Sequence, residues 1–232
     1  MPAPVLLRAA GLTPAAARSG SGAPPALSRL SLQLNHGEQV ALVGAAGSGK
    51  TALLRALAVI HKPAAGTVEF EGADLLKLPD HKIRALRRRF QYVGGQPTRS
   101  LPPRQTVAEA LREPLDVHRL GSAREREAQV EAALAAWGLN RWLLKRSIGS
   151  LSSTLRQRVA LARALLLKPR LLICDEVIDH LEPAAAQPLL RDLSAQCRAQ
   201  GTGWLWSTRD ASRAWAFADR VLRLEGGQLL PA

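Results

Sequence analysis

The sequence predicts an α/β fold around a mostly parallel sheet, and three observations carry that reading. Strand-like apolar runs alternate with helix-patterned stretches along most of the 232 residues. At one junction, Val40-Ala41-Leu42-Val43 leads through Gly44-Ala45-Ala46-Gly47-Ser48-Gly49-Lys50-Thr51 into the helical pattern of Ala52 to Leu57. At another, the apolar run Leu171-Leu172-Ile173-Cys174 ends in the acidic pair Asp175-Glu176. Strand, glycine-rich turn and helix in that order form the context a phosphate-binding loop requires.

The elements follow in chain order. Val5 to Arg8 and Leu30 to Leu34 read as short strands, separated by a loop over 12–26 that is rich in Gly, Pro, Ser and Ala. Gly37-Glu38 turns the chain into the Val40–Val43 strand. After the first helix, His61 to Gly66 is a turn, and Thr67 to Phe70 alternates as a strand closed by Glu71-Gly72. Lys82 to Arg89 has a helical pattern and Phe90 to Val93 that of a core strand. From Gly94 to Ser150 the character changes to loops (Gly94–Pro97, Leu101–Arg104) and helices. Those helices are Thr106 to Leu111 and Ala123 to Trp137, the second with Val130, Leu134 and Trp137 on one face. Leu155 to Leu167 is a further helix, stopped by Pro169. Leu171–Cys174, Trp204–Ser207 and Val221–Leu224 are core strands, the last turned by Gly226-Gly227 into Gln228-Leu229-Leu230. With no internal repeat, 1–232 is expected to form one unit, with a core of about 1–94 and 156–232 and a helical insert of about 95–155.

Composition narrows the function classes. No run of about 18 apolar residues is present, so no bilayer span is expected. Met1 to Leu7 lacks the basic flank of a signal peptide. Cys174 and Cys197 make no metal-ligand or disulfide framework, and Cys174 reads as a small buried hydrophobe. The net charge of +13 is densest at Lys82 to Arg89, yet arginines are scattered and aromatics for base stacking are few. A solvated basic face, or one near anionic headgroups, fits better than a nucleic-acid site, and no nucleic-acid partner is expected.

The chemistry centres on the loop. Gly44, Ala45, Ala46, Gly47, Ser48 and Gly49 can turn successive backbone N–H groups toward a phosphate, aided by the positive end of the helix dipole. Lys50 can reach β- and γ-phosphates, and the Thr51 hydroxyl can ligate Mg²⁺. Asp175 can hold that Mg²⁺ directly or through water, and Glu176 can polarise the attacking water as general base. The bland alternative for Asp175-Glu176 is an acidic pair capping a helix.

The order and spacing of this loop, the helical insert, Leu151-Ser152-Ser153-Thr154-Leu155-Arg156-Gln157-Arg158-Val159-Ala160-Leu161-Ala162-Arg163-Ala164-Leu165 and Asp175-Glu176 resemble the nucleotide-binding subunits of ATP-binding cassette transporters. The likeness covers nearly the whole chain. Ser100-Leu101-Pro102-Pro103-Arg104-Gln105-Thr106-Val107, Arg112-Glu113-Pro114-Leu115 and Cys174-Asp175-Glu176-Val177 are most similar to the dipeptide, oligopeptide and nickel importers. The resemblance implies a P-loop NTPase core of RecA type with an antiparallel β subdomain and an inserted helical subdomain. It also implies ATP and Mg²⁺ as cofactors and transport-coupled ATP hydrolysis. The implied partners are transmembrane permease subunits, an extracytoplasmic substrate-binding protein and a second cassette, so that two subunits sandwich two ATP molecules head to tail. The implied location is the cytoplasmic side of the inner membrane.

Against that family pattern the chain departs at several positions. The signature Leu-Ser-Gly-Gly-Gln reads Leu151-Ser152-Ser153-Thr154-Leu155. Ser152, which would touch the partner's γ-phosphate, is kept, with helix capping as its other reading. Both glycines are lost, and Thr154 adds bulk where backbone should approach phosphate. The switch histidine falls on Arg209, which can still donate a charged hydrogen bond but cannot shuttle a proton near neutral pH. The glutamine of the lobe-joining loop falls on Gly95, with Gln96 one place later, and the D-loop aspartate falls on Glu182. No aromatic lies in 12–25, where the family stacks adenine, a loss of roughly 1–3 kcal/mol by analogy with base–aromatic stacking. The groups holding ATP in the chain's own site are thus present, while those that sense γ-phosphate or serve a partner's site are altered. The expectation is an importer subunit with weak ATPase activity alone, working beside a more typical partner cassette in a heterodimer; a homodimer, the other assembly, would carry the altered groups in both sites. The alternative is a catalytically impaired ATP-binding module with a structural or regulatory role.

Overall fold

Two sheets organise the computed structural model, which describes residues 4–15, 27–97 and 100–232. The smaller is antiparallel and contains Val5–Thr13 (β1), Leu30–Asn35 (β2), Ala65–Phe70 (β4) and Ala73–Asp74 (β5), in the order β2-β1-β4-β5. The larger contains Gln39–Val43 (β3), Phe90–Gly94 (β6), Leu171–Asp175 (β7), Gly203–Thr208 (β8), Arg220–Glu225 (β9) and Gln228–Pro231 (β10). Its order is β10-β9-β3-β8-β7-β6, parallel throughout except for the β9–β10 hairpin.

Strands β3, β7 and β8 are buried at every residue, as parallel strands covered on both faces must be. Alternate residues feed two separate cores. Val40, Leu42, Leu171, Ile173 and Leu205 pack toward the first helix, Lys50–Leu57 (α1), and the small sheet. Ala41, Leu172, Cys174, Trp204 and Trp206 pack in the other core, with the helices Val107–Val117 (α3), Ala123–Ala136 (α4), Ser153–Leu165 (α5) and Pro183–Gln200 (α6). Trp204 and Trp206, two residues apart on one face of β8, stack with ring centroids 4.9 Å apart, and both are fully buried. Burial pushes the Cys174 thiol well above its ordinary range and the Cys197 thiol up to about 12, so both act as inert packing groups, as expected for Cys174.

The structure moves several boundaries read from sequence. β1 runs on to Thr13, where the 12–26 loop was expected to have begun; residues 16–26 of that loop lie outside the described residues. Leu12 pairs with Leu30 and Thr13 with Ala65, so the smaller sheet extends the strand past a register shift. The helix expected over Lys82 to Arg89 is instead Asp80–Leu86 (α2), and Arg87–Arg89 turn away from it. Arg87 leaves the helix to donate to the Ala58 and Val59 carbonyls at 2.6 and 2.9 Å, closing the end of α1, and its guanidinium lies over Phe90. Arg89 pairs with Glu71. Two arginines of the basic run are therefore structural.

Helix α3 starts one residue later than read and continues through Pro114 to Val117. Thr106 and Glu109 form a reciprocal capping box at its start, and buried Leu115 carries its apolar face past the proline. Helix α6 and the short helix Ala211–Phe217 (α7) have no counterpart in the sequence reading. The signals were Pro183 at the first turn of α6 and Gly201 past its end, with Leu189, Leu190, Leu193 and Cys197 buried between. Pro188 and the alanine run masked them.

Candidate functional site

The C-terminal ends of β3, β8, β7 and β6 lie side by side, which is where open parallel sheets place ligands. From β3 the chain enters the loop Gly44–Gly49 and then α1. Gly49 caps the helix with φ +101°, and a side chain there would meet Leu27 Cδ1 at 2.6 Å, so only glycine allows the entry. Lys50, the first helical residue, is 3% exposed. Its Nζ donates to the Gly44 and Ala45 carbonyls at 2.8 and 2.9 Å and pairs with Glu176 Oε1 at 3.1 Å. The amine is therefore held between the loop and the end of β7.

Three elements converge on Asp175. The Thr51 hydroxyl donates to its Oδ1 at 3.0 Å, the Ser207 hydroxyl donates to the same oxygen at 2.9 Å, and the Tyr92 phenol donates to Oδ2 at 2.8 Å. Burial, with the Asp175 charge, pushes the Tyr92 phenol well above its ordinary range, so the hydroxyl stays protonated. Ser207 also accepts from the Glu176 N–H at 3.0 Å. Glu176 has φ +49°, a left-handed conformation that typically costs about 1–2 kcal/mol in an L-residue. This conformation accompanies the Lys50–Glu176 pairing.

A cleft of about 860 Å³ opens over this cluster. Its walls include Thr51, Tyr92, Gly95, Gln96, Ser153, Arg156, Asp175, Glu176, Asp179, His180 and Arg209. Of the residues singled out from sequence, Lys50, Thr51, Asp175 and Glu176 are joined by direct contacts, and Gln96 and Arg209 line the same cleft. Gly44 to Ser48 line a separate cavity of about 330 Å³ against Arg223–Gly226. Ser152 is exposed and serves as the N-cap of α5, its Oγ accepting from the Leu155 N–H at 3.3 Å.

Arg209 is engaged within the chain. Asp179, 6% exposed in its side chain, accepts from the Arg209 backbone N–H at 2.9 Å, from Arg209 Nε at 3.2 Å and from the Thr208 hydroxyl at 2.8 Å. The sequence reading missed Asp179, Tyr92 and Ser207. For Ser207 a signal existed, a hydroxyl directly ending the apolar run Trp204-Leu205-Trp206.

Gly95 has no room for a side chain. A Cβ at that position would lie 2.6 Å from the Glu176 carbonyl oxygen and 3.1 Å from that of Asp175. Placing a glutamine there by Gly95→Gln is therefore expected to displace the Glu176 backbone and destabilise the fold by about 1–3 kcal/mol. A urea titration checks this; an unchanged midpoint would contradict the close approach.

The donor set suits a nucleoside triphosphate with a hard divalent cation. Thr51 and Asp175 offer adjacent oxygen ligands, and Ser48 Oγ is buried with no hydrogen-bond partner among the described residues. No group of three or more His, Cys, Asp or Glu among the described residues could cage a metal, so a cation here would draw its remaining ligands from water and phosphate oxygens, as Mg²⁺ prefers.

Comparison with known proteins agrees with this geometry. The family profile described as ABC transporter matches residues 27–179. The chain is 36% identical over 205 residues to the nickel import ATP-binding protein NikE of Escherichia coli strain K12, covering 88% of this chain and 76% of that protein. It is 35% identical over 207 residues to a Brucella ovis protein provisionally named as a peptide import ATP-binding protein, covering 88% of this chain. The chain spans 64% of the length of that Brucella relative. Among solved structures, the ATP-binding cassette MJ0796, a dimer in a post-hydrolysis state bound to ADP and Pi, superposes with a TM-score of 0.84 at 25% identity, covering 97% of this chain and 96% of that one.

Proposed function

This chain belongs to the ABC transporter family, and from that premise we propose that it is the ATP-binding subunit of an importer for peptides or for nickel or other metal chelates. The observation that carries the proposal is the contact set Lys50–Glu176 and Thr51–Asp175 at the strand ends. In this reading the backbone N–H groups of Gly44 to Thr51 and the Lys50 amine bind the triphosphate, while Thr51 and Asp175 hold Mg²⁺, which would neutralise charge on the phosphates. Glu176 orients and polarises the attacking water. Residues of about 95–155 form the helical lobe that presses on transmembrane permease subunits, at the cytoplasmic face of the membrane. Among the described residues no helix is long and apolar enough to cross that membrane. An extracytoplasmic binding protein would deliver the cargo.

The chain would work beside a second cassette. Ser153, Thr154 and Leu155 stand where a glycine-rich signature would approach the partner's nucleotide, and Ser152 already caps α5. The Asp179–Arg209 pairing favours a second reading, an ATP-binding module with little turnover of its own and a regulatory or structural role. The two separate on hydrolysis by the isolated chain. Weak turnover is expected, falling a further 10²–10⁴-fold or so in Glu176→Gln while labelled ATP remains bound. Equal rates for the two proteins would leave the module reading standing. Robust wild-type turnover would remove the claim of weak activity. Pull-down of a cognate cassette tests the partnership.

A further inference from the structure

We infer that Tyr92 is a positioning residue for the cation-binding carboxylate, coupling the end of β6 to Asp175 through its hydroxyl. This rests on the reading of Asp175 as the Mg²⁺-site carboxylate. Asp175 is 5% exposed and is gripped from three elements: Thr51 of α1 and Ser207 of β8 on Oδ1, and Tyr92 of β6 on Oδ2. Remove the phenol and Oδ2 loses its only described hydrogen bond, leaving the carboxylate less constrained about its terminal torsion. Donation to an ionised acceptor is among the stronger and more directional of hydrogen bonds.

The direction of that bond is set locally. Arg55 stands one turn after Thr51 on α1, and its Nε donates to the Tyr92 oxygen at 3.4 Å. With a guanidinium occupying a lone pair, the phenolic hydrogen is left for Asp175, which can only accept. One face of α1 thus supplies both a direct donor to Asp175 and the group that orients the second donor.

The location gives the contact its consequence. Tyr92 pairs with Ile173, and two residues on Gly94 pairs with Asp175, where the strand passes into Gly95 and Gln96. Gly95 has no side chain and no room for one beside the Glu176 carbonyl. Tyr92 is therefore the side chain through which the end of this strand holds the carboxylate. A shift of β6 relative to β7 would move the hydroxyl off Oδ2 and loosen the cation site.

The test uses the full chain, ATP, and Mg²⁺ or EDTA. Tyr92 is the only tyrosine in the sequence, so 3-fluorotyrosine labelling yields one ¹⁹F resonance assigned without mutagenesis. That resonance is expected to shift when ATP is added with Mg²⁺ and to stay within its linewidth when ATP is added with EDTA. In Tyr92→Phe, the tightening of ATP binding by Mg²⁺ should shrink about tenfold, the scale of one hydrogen bond to a charged group, with the EDTA affinity kept within about twofold. An undiminished Mg²⁺ effect, a ¹⁹F signal indifferent to Mg²⁺, or equal weakening with and without Mg²⁺ overturns the inference, the last by marking a merely structural role. If wild type binds no ATP in either condition, the ATP-binding reading has failed, in the wild-type arm, and this inference falls with it.

Discussion

Lys50→Ala is expected to weaken ATP binding by about 10²-fold, the loss of one or two charge-assisted hydrogen bonds to phosphate in a partly enclosed site. Lys50 has no slack to be replaced by a neighbour: its side chain is 2% exposed and already bridges the Gly44 and Ala45 carbonyls to Glu176. Truncation also leaves the Glu176 carboxylate without its partner. Because that carboxylate is one-third exposed, water screens part of the penalty, and the stability loss should stay near 1–2 kcal/mol, below the 3–5 of a fully buried broken pair. Titration with a fluorescent ATP analogue, with a thermal melt of the unliganded protein alongside, separates the two effects. An affinity within about threefold of wild type would show that Lys50 serves the fold alone.

Trp206→Ala should produce the largest loss of stability, about 3–5 kcal/mol, and lower the melting temperature by roughly 6–20 °C. Trp206 is fully buried on β8, with Ala41 of β3 on one side and Cys174 of β7 on the other. It also stacks on Trp204 at an interplanar angle of 11°. Removing it empties a large volume at the centre of the sheet, where neither flanking strand can collapse without breaking its ladder. Trp206→Phe should cost much less. It keeps a ring in the stack and removes an indole N–H that has no hydrogen-bond partner among the described residues. Scanning calorimetry on both variants decides; equal shifts would mean that neither the filled volume nor the stacked ring retained by phenylalanine carries the stability.

What could be read from sequence follows from how far each group's partners lie along the chain. The loop from Gly44 to Thr51 was legible as a strand–turn–helix junction because its pattern is written in consecutive residues, and Asp175-Glu176 because an acidic pair closes a continuous apolar run. The groups that surround Asp175 were not legible. Tyr92, Ser207 and Asp175 meet only because the sheet places β6, β7 and β8 side by side, an order no local pattern encodes. Arg209 could be singled out from sequence, but its partner could not. Asp179 sits in the turn after β7 and reaches Arg209 across thirty residues of sequence. Among the elements, strongly alternating or continuous apolar runs were found within a few residues, whereas α6 was hidden by an internal proline and an alanine run in its first turn.

The bond between Asp179 and Arg209 also makes the two positions interdependent. The Asp179 carboxylate is nearly buried and takes two of its three hydrogen bonds from Arg209, one from the backbone N–H and one from the guanidinium. Replace the arginine with histidine alone and the carboxylate loses its guanidinium partner; replace the aspartate alone and the guanidinium is stranded at the rim. The two positions share one contact, so substitutions at them are expected to be non-additive in a double-mutant cycle. The pair thus ties the turn after β7 to the end of β8, and a change at either position is felt at the other.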